Sequence, residues 1–203
     1  MNTLLPSLEN FRKQLDFSII SDERKIILSE LIQYVQQQRN NHKEIHLNFI
    51  CTHNSRRSQF SQVWAKTAAH FYAINIHSYS GGVEETEFNQ RAVDSLKRTG
   101  FRISKREEKN PKYLVYFSEG TMPLYCFSKI YDDAINAKNN FAAVMTCSHA
   151  DENCPYIPGA DQRIPVRYND PKEFDGTSLE SQKYDERSKE IATEMFYIFS
   201  QIK

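Results

Sequence analysis

The chain has 203 residues, 39% of them apolar, enough for one domain of about 150 residues plus an extension. Its 26 basic and 26 acidic side chains cancel, so neither nucleic acid nor a membrane is an expected partner, since either normally demands a basic face. No stretch approaches the roughly 20 apolar residues of a membrane span, and Met1–Arg12 lacks the basic and apolar segments of a secretion signal, which points to a cytoplasmic protein.

Residues 1–43 read as an N-terminal helical extension. Leu8, Phe11 and Leu15 make one short amphipathic stripe. Ser21-Asp22-Glu23 opens a second helix whose Leu28, Leu31, Ile32 and Val35 share a face, with Gln36 to Lys43 as its end and a linker. A cap packed on the following domain is the default reading of such a stripe.

The domain expected over residues 44–203 starts with Ile45-His46-Leu47-Asn48-Phe49-Ile50, which alternates as a buried strand does. Cys51-Thr52-His53-Asn54-Ser55-Arg56-Arg57-Ser58 follows as a C-x5-R-S loop, and Val63, Trp64, Thr67, Ala68 and Phe71 then repeat at helical spacing. Residues 75–80 read as a second strand closed by Gly81-Gly82, and residues 89–99 as a helix with Gly100 past its end. Residues 113–117 and 141–146 are two more strand candidates, separated by a loop-rich stretch from Ser118 to Asn140. A last helix runs from about Leu179 to Gln201. Strands alternating with helices predict an α/β fold with a parallel sheet covered on both faces. Such sheets bind ligands at the carboxyl ends of their strands, where Cys51 and Cys147 both fall.

The loop carries the chemistry. A cysteine attacks only as thiolate, and a helix N-terminus, loop amides and a nearby arginine favour that form. Arg57 offers a planar fork that matches two oxygens of a tetrahedral anion. Ser58 and Ser55 can donate to the sulfur, and Thr52, His53, Asn54, Ser55, Arg56 and Ser58 make up the oxyanion cradle. The plainer alternative is a buried structural cysteine beside a solvated arginine pair. Four cysteines in a cytosolic chain suit catalysis or redox work better than a disulfide framework. Cys147, His149 and Cys154 lack the paired C-x2-C and a fourth ligand that zinc requires, so no metal is expected. Cys126 sits in an apolar run and reads as a small core residue.

Residues 51–59, with the fixed wording Cys-Thr-x-Asn-Ser-x-Arg-Ser-Gln, resemble the loop of the low-molecular-weight protein tyrosine phosphatase superfamily, and more closely its thioredoxin-coupled arsenate reductase branch. Val144-Met145-Thr146-Cys147-Ser148-His149-Ala150-Asp151-Glu152-Asn153-Cys154-Pro155 looks like the segment that carries that branch's two relay cysteines. Tyr168-Asn169-Asp170-Pro171 resembles the Asp-Pro that supplies the general acid in phosphatases of this fold. The resemblance spans roughly residues 44–203, with a poorer fit between about 105 and 140.

It implies a central four-stranded parallel sheet with helices on both faces, the low-molecular-weight phosphatase fold. It implies reduction of arsenate through Cys51, Cys147 and Cys154, with Arg57 and Asp170 assisting, thioredoxin as electron donor and no tightly bound cofactor. The alternative is a phosphatase that hydrolyses phosphotyrosine or another phosphomonoester, including a phosphoprotein, through a phosphocysteine. A third reading is a non-catalytic phospho-binding module. His53 and Arg56 replace the glycine and cysteine usual at those positions, which adds positive charge near the thiolate. Asn54 and Ser80 match positions that help bind potassium in some arsenate reductases, but Gln62 stands where an acidic ligand would be, so that ion is not expected.

Overall fold

A computed structural model of the chain describes residues 2–106, 109–153 and 156–203. Two helices open it, α1 (Pro6–Arg12) and α2 (Asp22–Asn40), with a 3₁₀ turn at Phe17–Ile19 between them. Strand β1 (His46–Cys51), helix α3 (Arg57–Phe71), strand β2 (His77–Gly82) and helix α4 (Gln90–Thr99) follow. Next come strands β3 (Arg102–Arg106), β4 (Lys112–Tyr116), β5 (Leu124–Cys126) and β6 (Phe141–Met145), helix α5 (Ser148–Asn153), strand β7 (Ala160–Pro165), a 3₁₀ turn (Pro171–Phe174) and helix α6 (Glu180–Ser200).

The central sheet has four parallel strands in the order β2-β1-β6-β7. Its fourth strand is β7, not the segment around residues 113–117. That segment forms β4, the middle strand of a separate antiparallel sheet β3-β4-β5. Local alternation in Tyr113-Leu114-Val115-Tyr116 announces a strand but not its partners, while Asp161-Gln162-Arg163 on an edge strand hides one.

Period-2 alternation divides the interior. Leu47 and Phe49 of β1, with Ala142 and Val144 of β6, face a large apolar cluster shared with α2, α3, α4 and α6. Ile50, Ala143 and Met145 face a smaller one, joined by Cys51, Cys147, Ala150 and Ile157. Helices therefore cover both faces, with the short α5 on the second.

The N-terminal extension buries Leu4, Leu5, Leu8, Leu28, Leu31, Tyr34 and Val35 in the large cluster. Ser21 caps α2 by accepting from the Arg24 amide at 3.2 Å. The helix continues to Asn40, further than the polar run from Gln36 suggests. Gln is a good helix former, Gln38 is buried and Gln36 bonds Asn40 one turn on. Gly100 ends α4 at φ 118°, a conformation suited to glycine. No helix among the described residues is long and apolar enough to cross a membrane.

Candidate active site

Cys51 is the last residue of β1 and is buried, with Sγ 3.0 Å from the Ser58 hydroxyl in the first turn of α3. Asn54 Nδ2 donates to that same hydroxyl oxygen at 2.8 Å, which leaves the hydroxyl proton free to point at the sulfur. A donor so placed stabilises negative charge on Cys51. Asn54 reaches this position in the left-handed region, at φ 46°, where Asn is among the best tolerated residues. Its Oδ1 accepts from the Lys129 amide at 3.0 Å and its carbonyl accepts from Gln59 Nε2 at 3.0 Å. A β-carbon on Gly82 would lie 2.8 Å from both Asn54 N and Thr52 O, so only glycine lets β2 pass this close to the loop. Of the two serines expected at the sulfur, only Ser58 is there. The Ser55 hydroxyl donates instead to the Glu87 carbonyl at 2.7 Å. His53 lies at the rim, its ring 3.5 Å from Glu84 and its carbonyl accepting from Ser128 Oγ at 2.9 Å.

Arg57 projects from the start of α3 toward the chain after β7. Nη1 donates to the Tyr168 carbonyl at 3.1 Å and Nη2 to Asp170 Oδ2 at 2.7 Å. Its Nε is buried without a hydrogen-bond partner among the described residues. An orphaned donor calls for an explanation, and here it belongs to a side chain lining a small pocket with Cys51, His53, Ser55, Arg56 and Asp170. An oxyanion in that pocket could satisfy it. Asp170 Oδ1 meanwhile caps the following 3₁₀ turn by accepting from the Lys172 amide at 3.1 Å, so the turn-forming and pocket-lining roles of Asp-Pro coexist. Arg56 corrects an expectation. Its Nε donates to Tyr184 Oη at 2.7 Å and its Nη2 to Asp175 at 3.4 Å, so its charge is paired with Asp175 instead of being left for the thiolate.

Cys147 is buried two residues past β6, 3.5 Å from Thr52 Oγ1, and its sulfur accepts from the Ala150 amide at 3.4 Å. Thr52 Oγ1 is also 3.3 Å from His149 Nδ1. Thr52 thus links the residue after Cys51 to Cys147. Cys154 lies outside the described residues. Cys126 is fully buried, and burial pushes its thiol up to about 12, which makes it a poor nucleophile.

Among the described residues one trio has metal-ligand chemistry, Glu44, His46 and His77, with ligand atoms within 4.8 Å of one another. It sits at the opposite end of β1 and β2 from Cys51. The two imidazoles stack at 4.6 Å and 12°, so their nitrogen lone pairs run parallel instead of converging.

Several residues that shape the pocket gave no signal in the sequence. Ser128 and Lys129 come from the stretch read as loop, while Tyr184 and Asp175 hold Arg56. All act through contacts of long sequence separation, for which no spacing rule exists.

No family model matches the chain. The arsenate reductase of Staphylococcus aureus (strain Newman) is 32% identical over 123 residues, 61% of this chain and 76% of that relative. The chain belongs to the arsenate reductase family. Its fold is similar to that of the low-molecular-weight protein tyrosine phosphatase from T. tengcongensis, with TM-score 0.53 at 15% identity, over 78% of this chain and 100% of that one. A low-molecular-weight phosphotyrosine phosphatase from Vibrio cholerae O395 gives TM-score 0.50 at 13% identity, over 77% of this chain and 94% of that one. The chain is a cysteine-dependent oxyanion enzyme of the arsenate reductase family.

Proposed function

We propose that the enzyme reduces arsenate to arsenite through a relay of Cys51, Cys147 and Cys154. The observation that carries this reading is the juxtaposition of Cys51 and Cys147. Ile50 pairs with Met145 across adjacent strands, so the two cysteines differ by one position along the sheet. Extending that register past the end of β6, with a strand spacing of about 4.8 Å and a rise of about 3.3 Å per residue, puts their Cα atoms on the order of 6 Å apart, and Thr52 Oγ1, on the residue next to Cys51, lies 3.5 Å from the Cys147 sulfur. Disulfides span about 4.4–6.8 Å. Hydrolysis through a phosphocysteine does not itself use a second thiol, which in a phosphatase would serve at most to protect Cys51 from over-oxidation.

The pocket takes the tetrahedral anion on Arg57 and the loop amides of residues 52–58. Because Arg57 is paired with Asp170 beforehand, an arriving oxyanion competes for the same guanidinium and releases the carboxyl group to face the departing oxygen. The Cys51 thiolate attacks arsenic, Asp170 protonates the leaving oxygen, and water departs. Cys147, as thiolate, then attacks the Cys51 sulfur. The sulfur–arsenic bond breaks with its electron pair staying on arsenic, arsenite leaves, and a Cys51–Cys147 disulfide remains. Cys154 attacks Cys147, freeing Cys51, and a dithiol donor such as thioredoxin reduces the Cys147–Cys154 bond. No tightly bound cofactor is needed, and a cycle that depends on reduced thiols suits the cytoplasm.

The test is arsenate turnover coupled to thioredoxin, thioredoxin reductase and NADPH, beside hydrolysis of a phosphotyrosine peptide. NADPH oxidation that requires arsenate supports the reductase. Peptide hydrolysis without arsenate-dependent oxidation establishes the phosphatase instead, and turnover of neither leaves the binding module.

A further inference from the structure

One side chain of the N-terminal helices reaches toward the pocket. Arg24, in the first turn of α2, donates through Nε and Nη2 to the two carboxylate oxygens of Glu194 on α6, at 2.6 and 2.8 Å. Glu194 Oε2 also accepts from Tyr168 Oη at 2.7 Å, and the Arg24 guanidinium lies 4.9 Å from the centre of the Tyr168 ring. Glu194 and Tyr168 are only 4% and 5% exposed. Burial, reinforced by the charge of Glu194, holds the Tyr168 phenol well above its ordinary value, so it remains a donor.

The main chain of Tyr168 is part of the pocket's frame. Its carbonyl accepts from Arg57 Nη1 at 3.1 Å, and its amide donates to the Thr146 carbonyl at 3.1 Å, one residue before Cys147. Asp170 follows two residues later and takes the other end of the Arg57 fork. Without Arg24, Glu194 would be a buried charge with no cation across from it, a strongly destabilising state that proton uptake or rearrangement relieves, and either changes its hold on the Tyr168 hydroxyl. Glu194 is carried by a long helix, whereas Tyr168 sits on the connection between β7 and the following 3₁₀ turn, so the loss is passed to the Tyr168 segment.

We propose that Arg24 is a positioning residue of the active site: by neutralising Glu194 it anchors Tyr168, and the anchored Tyr168 main chain sets the placement of Arg57 and Asp170. The proposal rests on the reading that Arg57 binds the oxyanion and Asp170 protonates the leaving oxygen. It gives the extension a part in catalysis beyond covering the core.

The experiment compares the full-length wild type with Arg24→Met, Arg24→Lys and Tyr168→Phe. Three things are measured: turnover of phenyl phosphate and of para-nitrophenyl phosphate, protection of Cys51 from iodoacetamide by inorganic phosphate, and thermal melting. Arg24→Met should lower kcat for phenyl phosphate by about 10- to 100-fold, the scale of a misplacement near 1 Å. The activated para-nitrophenyl ester, which needs less help from Asp170, should lose less. Phosphate protection should weaken several-fold. Arg24→Lys should recover only part of the loss, since a point charge does not replace a fork. Tyr168→Phe, which keeps the ring and removes one hydroxyl, should show the same leaving-group pattern. A lower melting temperature with unchanged leaving-group ratio and unchanged phosphate protection would make Arg24 a structural clamp only and overturn the proposal. Should Arg24→Met not fold, the same two readouts on Tyr168→Phe decide. If the wild type itself turns over no ester and no arsenate, the catalytic reading fails. The alkylation assay still reports whether Arg24 positions Arg57 for the anion.

Discussion

The loop from Thr52 to Ser58 and the helix from Ser148 to Asn153 lie side by side in the site but are built differently. In the loop, every side chain has a partner. Thr52 meets Cys147, His53 meets Glu84, Asn54 and Cys51 share Ser58, Ser55 holds Glu87, Arg56 holds Asp175 and Arg57 holds Asp170. By contrast, α5 is six residues long, too short to persist without tertiary support. That support comes from Ala150 in the smaller apolar cluster and from Asp151, which pairs with Arg163 and Arg167. The difference matches the work proposed for each. A nucleophile gains from donors fixed before the anion arrives. A relay has to bring its second and third cysteines within about 5.5 Å of each other, the separation a disulfide spans.

Breaking the rigid half should have the largest effect. Cys51→Ser is expected to lose at least about 100-fold in turnover of both arsenate and phosphoesters, because a hydroxyl is a far poorer nucleophile than a thiolate. Binding of inorganic phosphate, measured by calorimetry, should persist because the cradle's donors remain. Activity close to wild type would remove Cys51 from the nucleophile's role. Breaking the relay half should be selective. Cys147→Ser is expected to stop multiple turnover of arsenate while sparing hydrolysis of para-nitrophenyl phosphate. A variant that still cycles arsenate with thioredoxin would leave the second region without a redox task.

The same contrast governs what was legible in the sequence. Strand, loop and helix around Cys51 are contiguous, so alternation before Cys51 and helical spacing after Ser58 reveal β1, α3 and the loop between them, which put Cys51 at a strand end and Arg57 at a helix start. Contacts made across the fold were not legible. Arg56 looked like added charge at the thiolate because nothing nearby in sequence reveals Tyr184 and Asp175. Ser55 carries the same hydroxyl as Ser58, and only the turn of the loop directs it to Glu87. Strand β7 escaped because an edge position lets Asp161, Gln162 and Arg163 stay polar, and β4 was counted toward the wrong sheet because alternation carries no partner information.

A smaller effect sharpens the comparison from the α5 side. Asp151 is 5% exposed and tied to two arginines, so it resists unwinding of the helix. Asp151→Asn keeps the shape and removes the charge. Formation of the Cys147–Cys154 disulfide in diamide, followed by mass spectrometry, should become a few-fold faster, because local opening is the step being eased. Initial phosphoester turnover should stay near wild type. An unchanged oxidation rate would show that α5 does not limit the relay.

The smallest expected effect concerns stability alone and tests how much strain the rigid half tolerates. Lys129, whose amide holds Asn54 Oδ1, has a side chain buried against the Phe127 ring, with Nζ 4.7 Å from the ring centre and 3.5 Å from the Phe127 carbonyl. Burial pulls its ammonium down to about 8 from an ordinary value of 10.5. Between those two values the unfolded chain holds a proton that the folded one has released, so stability should rise as pH climbs from about 8 toward 10.5. Below about 8 both states are charged and the folded state carries the full burial cost, at most roughly 3 kcal/mol by linkage. Lys129→Met fills similar space without charge and keeps the backbone amide that Asn54 uses. It should raise the melting temperature at pH 7 by a few degrees, the contact with Phe127 offsetting part of the gain, and it should flatten the rise above pH 8. A variant that melts lower than wild type at pH 7 with the alkaline rise intact would show that the buried amine supports this wall of the cradle instead of straining it.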